Sequence, residues 1–373
     1  MASIEVVGGG LAGLVAAVEC AERGANVVLF EGTHSVGGRA RSVKHDGYTT
    51  NLGPHALYQD GDAWAWLRER ELLPETVSPP TDTFRYRYAG RLERRPEPLR
   101  RALQGLAGPA PHELDFASWA EAQVGRESAR VAAGVLTLPL FDADPGRYSA
   151  SFAFEVFTRL TTPGIACYVV GGWSELVDRL ERRVRELGVR IETNVRVTTI
   201  THRPTIVATG AHSAARLLKD GSLRPARRQV GLVNVGTTAI CDLSAVLDLD
   251  RGVYAVRSNA ADSSLAPSGH SLLQCSAGLF DGELSSAAYA RIEDVLDHAF
   301  PGWRSRCAFV GRMTVAAPAA PDLPGSTFRD RPPIDYGGGV YLAGDYVASP
   351  GLLSEVCFNS ARNAAAVALD AGI

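Results

Sequence analysis

Lysine is nearly missing from this chain: of its 38 basic residues only Lys44 and Lys219 are lysines, and the rest are arginines. A GC-rich coding sequence produces such a skew without any functional cause, so no arginine surface is inferred from it. Neither sign of charge is in marked excess, the formal net charge being −3. That removes the electrostatic case for a nucleic-acid partner. Paired cysteines are absent too. Cys20, Cys167, Cys241, Cys275, Cys307 and Cys357 are scattered, with no C-x-x-C and no metal-ligand spacing. They read as reduced, packed thiols rather than as a disulfide framework or a metal centre. No Ser/His/Asp nucleophile motif stands in the sequence. No apolar run approaches the ~20 residues that span a bilayer. The first strand signal, at Ile4, leaves no room ahead of it for a targeting segment. Together these absences lead us to expect a soluble cytoplasmic protein.

What is present is concentrated in the first forty residues. Ile4 to Val7 is a short apolar strand that opens into Gly8-Gly9-Gly10-Leu11-Ala12-Gly13, a G-x-G-x-x-G turn. A helix follows, with Leu14, Ala17, Val18 and Ala21 placed to pack on a sheet. Gly24 stops it, Asn26 to Phe30 is a second strand, and Glu31 closes that strand. Each part has a task in a dinucleotide site. Gly8 allows the tight turn, Gly10 lets the backbone approach a pyrophosphate, and Gly13 lets helix and strand pack closely. The free N–H groups at the helix start, Leu11 and Ala12 among them, and the helix dipole favour phosphate charge. Glu31 stands about twenty residues on, where a carboxylate bonds ribose hydroxyls. The length, 373 residues, suggests two or three structural domains around a sizeable core.

Gly37-Gly38-Arg39 comes shortly after Glu31, and Arg41 soon after it. The glycine pair lets a second loop reach a dinucleotide, and an arginine there can form charge-assisted bonds to phosphate. On these residues the sequence resembles the flavin amine oxidase, phytoene desaturase and protoporphyrinogen oxidase superfamily. The resemblance implies an α/β fold: a Rossmann-like, two-dinucleotide-binding FAD domain with a discontinuous α+β substrate domain. It extends to Asn51, Gly53, Pro54 and His55, a stretch that in the family passes near the flavin. There His55 and Tyr58 become candidate cavity residues, and His55 is either a proton carrier or a structural hydrogen-bonder.

Further on, Tyr168 to Trp173 precede a helix from Glu175 to Leu187, then a strand at Val189 to Ile191 and another at Val195 to Ile200. In the family a V-x-x-I strand bonds the adenine, which points to Val197. Thr205 to Gly210 matches an A-T-x strand end near the dinucleotide, giving Thr209 and Gly210. The connection between these strands is shorter than in relatives, marking a compact member. Near the C-terminus, a strand from Val340 ends in Ala343-Gly344-Asp345, and Pro350-Gly351-Leu352-Leu353 begins a long helix. The resemblance implies that Asp345 bonds a ribityl hydroxyl. It also implies that the helix start, with Gly351 and the N–H groups of Leu352 and Leu353, faces the flavin N1–C2=O edge, where the dipole favours negative charge. No cysteine lies just before Gly344-Asp345, so FAD is expected to be non-covalent.

The implied FAD domain comprises residues 1–80, 165–218 and 325–373, and the substrate and lid domain residues 81–164 and 219–324. Phe84 to Tyr88 turns back at Gly90 into a small hairpin. Its aromatics form either one face of a half-buried strand or a wall for a substrate. Asp115 is a plausible cap of a following helix, and residues 120–165 read as helical with breaks at Pro139 and Pro145. Leu136 to Phe141 and Phe152 to Leu160 are apolar enough to line a cavity or to form a lid core. Val230 to Cys241, Val253 to Arg257 and Ser271 to Ala277 read as strands, with a covering helix from Ala287 to Phe300. Amine oxidases of the family often carry a lysine near the flavin, and neither Lys44 nor Lys219 sits on a strand feeding it. Trp173 and Tyr346 could form an aromatic pair across the flavin, or could equally be packing. The leading expectation is an FAD-dependent dehydrogenase or desaturase acting on an apolar or mixed small molecule, with O2 a possible electron acceptor. The alternatives are an amine oxidase that forms an imine and hydrogen peroxide, a redox-neutral isomerase or cyclase, and a non-catalytic FAD-binding scaffold.

Overall fold

The computed structural model describes residues 2–202, 204–224, 228–239, 241–317 and 321–371. Two large sheets organise it. The first has six strands in the order Arg190–Glu192, Asn26–Phe30, Ser3–Val7, Thr205–Val207, Val340–Leu342 and Asp335–Gly337. The first five run parallel and the last is antiparallel. A parallel sheet must be covered on both faces, and the sequence supplies that cover. The helices Leu11–Glu22 and Ser354–Asp370 pack on each other through small residues, Ala17 and Ala361 among them, all fully buried. The helix Ser174–Glu186 adds Leu176, Leu180 and Val184 to the same core. One charge is buried there. Glu19 is satisfied by the Trp66 indole N–H at 2.6 Å and by Arg70 and Arg23 at 3.1 and 2.8 Å, which offsets the desolvation an isolated carboxylate would suffer.

The second sheet has seven strands, in the order Cys307–Ala316, Gln229–Thr237, Ser271–Gly278, Val253–Arg257, Ala245–Asp248, Phe84–Tyr88 and Arg91–Glu93. Its pairs are antiparallel except that between Ala245–Asp248 and Phe84–Tyr88. Alternation along Val253–Arg257 divides its two faces. Tyr254 and Val256 meet the helices of residues 97–161, while Val253 and Ala255 meet Ile292 and Val295 of the helix Ser285–Ala299. Phe84, Tyr86 and Tyr88 pack against the helical side, as half of a strand pair would. Asp115 does cap its helix, accepting from the Ser118 N–H at 2.8 Å.

Several expectations need correction. Val195 to Ile200 forms no strand: it is irregular and is tied to the first sheet by the Val195 N–H to the Glu31 carbonyl at 2.9 Å. The Thr205–Val207 strand takes the sheet position beside Ser3–Val7. Pro139 does not break its helix, which runs from Arg126 to Leu140 with the proline as its penultimate residue. The run from Val230 ends as a strand at Thr237, short of Cys241, and Ile240 lies outside the described residues. Two strands, Ala245–Asp248 and Cys307–Ala316, carried no sequence signal strong enough to be read. No helix among the described residues is long and apolar enough to cross a membrane.

Candidate active site

The strand Ser3–Val7 delivers the glycine turn to the carboxyl edge of the first sheet, and the three glycines there differ in kind. Gly8 has φ +110°, and a Cβ on it would lie 2.7 Å from the Ala208 carbonyl oxygen. A Cβ on Gly13 would lie 1.8 Å from the Gly8 carbonyl oxygen. These two are demanded by the fold. A Cβ on Gly10 would meet no protein atom within 4 Å. Gly10 is small on behalf of whatever fills the groove beside it. The helix that starts there has no side-chain cap and no acidic residue in its first turn. Its N–H groups are left for an anion.

Glu31 is fixed rather than mobile. One carboxylate oxygen accepts from the Gly9 N–H at 2.8 Å and the other from the Thr33 N–H and hydroxyl, also at 2.8 Å. Gly37, at φ +108°, donates its N–H to the Gly9 carbonyl at 2.7 Å, so the second loop is laid directly on the first. Arg39 then reaches the far end of the chain: its guanidinium donates to Asp345 at 2.6 Å, across 306 residues of sequence. Asp345 raises the guanidinium pKa further.

A groove of about 970 Å³ runs along these residues. Gly8, Gly10, Leu11 and Ala12 line it with Glu31, as do Gly37, Gly38 and Arg39. Val197, Thr209 and Gly210 form a second wall, and Gly344, Asp345 and Tyr346 a third. The irregular course of residues 195–198 is thus compatible with lining it. Two buried hydroxyls beside the groove, Thr209 Oγ1 and Tyr346 Oη, have no partner among the described residues. Orphaned polar atoms, an uncapped helix and a glycine whose missing side chain opens onto the groove are the features a bound dinucleotide would complete.

The other expected residues lie elsewhere. Gly13 is inside the turn, not on the groove. Gly351, Leu352, Leu353 and Tyr58 line a separate small cavity of about 20 Å³, with Pro139, Leu140, Phe152 and Val156 as apolar walls. One expectation about it fails. The Leu352 N–H is already donated to Glu355 at 3.0 Å, so it is not available to a flavin oxygen. The Leu353 N–H has no acceptor among the described residues, and this residue turns through φ +54° to start the helix. Glu355 is itself held by Arg159 through both carboxylate oxygens at 2.6 and 2.7 Å, and Arg159 lies over the Tyr58 ring at 4.5 Å. Burial pushes the Tyr58 hydroxyl up to about 12, so it is a neutral donor at ordinary pH.

Gly53, at φ +123°, makes the turn that precedes His55. Neither they nor Pro54 line the groove or the small cavity. The His55 ring packs on Trp173 at 4.9 Å between centroids, and both His55 Nε2 and Trp173 Nε1 are buried without partners among the described residues. Trp173 belongs to the core under the first sheet and, unlike Tyr346, does not line the groove. Burial, and then the Arg39 charge, lower the His55 pKa to about 4. The imidazole is therefore neutral at pH 7 and takes up no second proton in the physiological range.

The sign of the stability effect follows. Above pH ~6.5 both folded and unfolded chains hold His55 neutral; as pH falls toward 4 only the unfolded chain takes the proton, and stability is lost. His55→Asn should flatten this. Urea denaturation at pH 7 and pH 5 should show an acid loss smaller by roughly 1–2 kcal/mol in the variant. An equal loss in both proteins would place the imidazole in a more solvated site.

Comparison with known proteins gives a consistent picture. A family model described as flavin containing amine oxidoreductase matches residues 11–228. Over 51 residues the chain is 45% identical to a 4,4′-diapophytoene desaturase (4,4′-diaponeurosporene-forming) of Staphylococcus aureus. That match takes in 14% of this chain and only a tenth, 10%, of the desaturase's length. Among solved structures, an oxidoreductase from Methanosarcina mazei superposes with a TM-score of 0.79 at 17% identity, covering 97% of this chain and 99% of that one. Cyclohexylamine oxidase from Brevibacterium oxydans superposes with a TM-score of 0.72 at 16% identity, covering 99% of each. At these identities the structures share the fold.

Proposed function

The chain belongs to the flavin-containing amine oxidoreductase family, and from that premise we propose that it is an FAD-dependent dehydrogenase or desaturase that takes a hydride from a carbon atom of an apolar small molecule. The observation that carries the reading is the groove joining the glycine turn to Gly344-Asp345. Its volume of about 970 Å³ suits a dinucleotide, and the paired Arg39 and Asp345 both line it. FAD bound there supplies a two-electron acceptor, while the protein supplies position and electrostatics.

In this reading the N–H groups of Leu11 and Ala12 and the Arg39 guanidinium hold phosphate, Glu31 the adenosine ribose, and Val197 the adenine. Thr209 and Tyr346 offer their unpartnered hydroxyls to the same ligand. The Leu353 N–H, at the positive end of the last helix, favours negative charge at the flavin's ring edge. Residues 1–80, 165–218 and 325–373 make the cofactor domain, and residues 81–164 and 219–324 make the substrate and lid domain. The apolar walls Pro139, Leu140, Phe152 and Val156 suit an apolar substrate body and exclude water from the transfer. Among the described residues no lysine lines either space, so the reading has no place for a lysine-held water and favours oxidation at a carbon–carbon bond over oxidation of an amine.

The test is a purified-protein spectrum followed by anaerobic titration. The protein should be yellow, acid precipitation should leave the flavin in the supernatant, and apolar unsaturated or saturated-ring substrates should bleach the colour. Hydrogen peroxide released from simple amines would favour the amine oxidase reading, with O2 as acceptor. Turnover without any flavin reduction would favour a redox-neutral enzyme. A colourless protein that cannot be reconstituted with FAD would remove the cofactor assignment.

A further inference from the structure

The apolar cavity beside Leu352 and Leu353 contains one feature that apolar packing does not explain. Arg331 lines it. Its side chain is only 8% exposed, and one terminal nitrogen donates to Asp322 at 2.6 Å. Its Nε and its other terminal nitrogen are buried and have no partner among the described residues. A buried guanidinium with open N–H groups is costly unless something accepts from them. A second guanidinium, Arg228, lines the same cavity and also the long groove. It donates to Asp142 at 3.2 Å and to the Tyr148 hydroxyl at 3.1 Å. Arg147, on the groove, reaches Asp142 as well, at 2.9 Å. Arg228 and Arg147 thus share Asp142, while Arg331 is paired with Asp322. Arg159, nearby, is committed to Glu355 and Asp60, so the open N–H groups belong to Arg331.

We infer that this cavity takes the carboxylate of the substrate, and that Arg331 is the residue that recognises it. The substrate class is then an organic acid with an apolar body, a narrowing that rests on the reading of the Leu352–Leu353 turn as the place where substrate meets flavin. A carboxylate matches the planar donor fork of a guanidinium, and two parallel N–H donors give it orientation as well as energy. The chemistry of the apolar walls suits the rest of such a molecule and not a free inorganic anion. The cavity of about 20 Å³ has room for about one water molecule. Arg228 and Pro321 line both it and the long groove, so the two spaces adjoin there, and an occupant larger than a water requires these two side chains to move.

The test uses the yellow holoenzyme and calorimetric titration with phenylacetate, octanoate, the neutral isostere phenylacetamide and inorganic phosphate. The acids should bind at least tenfold more tightly than phenylacetamide, and phosphate should not compete. In Arg331→Met that preference should vanish while flavin content stays as in the wild type; the melting temperature should fall, because Asp322 loses its buried partner. Arg331→Lys, which keeps the charge without the fork, should retain part of it. Equal binding of acid and amide by the wild type, or absence of acid binding, overturns the proposal. So does a preference that survives in Arg331→Met, or a variant that sheds its flavin, which would place Arg331 on the cofactor. The wild-type comparison needs no variant, so a misfolded Arg331→Met leaves the test standing. Calorimetry also reads acid binding where no substrate bleaches the flavin, so failure of the hydride-transfer reading is distinguished from failure of this one.

Discussion

Gly10→Val should give a folded, colourless protein, and Gly13→Val should give almost no folded protein at all. The two glycines are three residues apart in one turn, yet their surroundings differ in kind. At Gly13 the added carbon would sit 1.8 Å from the backbone oxygen of Gly8. Backbone cannot rotate away as a side chain can, so helix and strand must separate, a disruption beyond the roughly 1–3 kcal/mol of ordinary side-chain overpacking. At Gly10 the same carbon meets nothing within 4 Å, and the backbone at φ −75° and ψ −174° is open to any residue. Valine there weakens the start of the helix by under about 1 kcal/mol and puts its methyl groups where the pyrophosphate should lie. Melting curves and far-UV circular dichroism of Gly10→Val should match those of the wild-type apoprotein. Titration of FAD, followed by quenching of its fluorescence, should show binding weaker by about a hundredfold, or about 2.7 kcal/mol. A yellow Gly10→Val protein that holds FAD as tightly as the wild type would mean that the groove carries its ligand away from this turn.

This difference between the glycines shows what could be read before the fold was known. The G-x-G-x-x-G run, the helix after it, the strand Asn26–Phe30 and Glu31 all fall where the sequence puts them, because each rests on local chemistry: a periodicity, a stop signal, a fixed spacing. The same holds for the hairpin at Gly90 and for the long last helix. The strand Cys307–Ala316 escaped because Gly311 and Arg312 interrupt its alternation and most of its residues are half-buried or exposed at a sheet edge. Val195 to Ile200 failed in the opposite sense. Its β-branched composition favours a strand, but the neighbouring place in the sheet is filled by Thr205–Val207, and tertiary pairing overrides propensity. The site residues that went unread share another cause. Arg159 with Glu355, Arg228 with Asp142 and Arg331 with Asp322 are ion pairs defined by the fold. In a chain whose cations are nearly all arginine, no single arginine stands out by type. Among the described residues Arg331 alone adds a buried, unpartnered terminal nitrogen to an unpartnered Nε, and only that singles it out.

The Arg39–Asp345 pair ties the two ends of the chain together and invites the second large test. Asp345 is 8% exposed at the end of the strand Val340–Leu342, and Arg39, half-exposed to the groove, donates to it at 2.6 Å. If the carboxylate also takes a ribityl hydroxyl, Asp345→Ala loses a hydrogen bond to a charged acceptor, worth about 1.5–3 kcal/mol. That corresponds to FAD binding weakened by about ten- to a hundredfold. Asp345→Asn separates the two roles of the carboxylate. The amide can still accept from the ribityl hydroxyl and leaves the Arg39 charge free for the phosphates, so its loss should be smaller and should be least at low salt, where that attraction is least screened. Arg39→Met should weaken FAD through the phosphates, and in Arg39→Met with Asp345→Ala the two losses should not add, because the residues touch. Measured dissociation constants for the wild type and the four variants at low and high salt decide the matter. Additive losses would mean that the pair acts on FAD at two separate points. A tight, yellow Asp345→Ala would mean that the turn after Val340–Leu342 closes the groove without touching the flavin nucleotide.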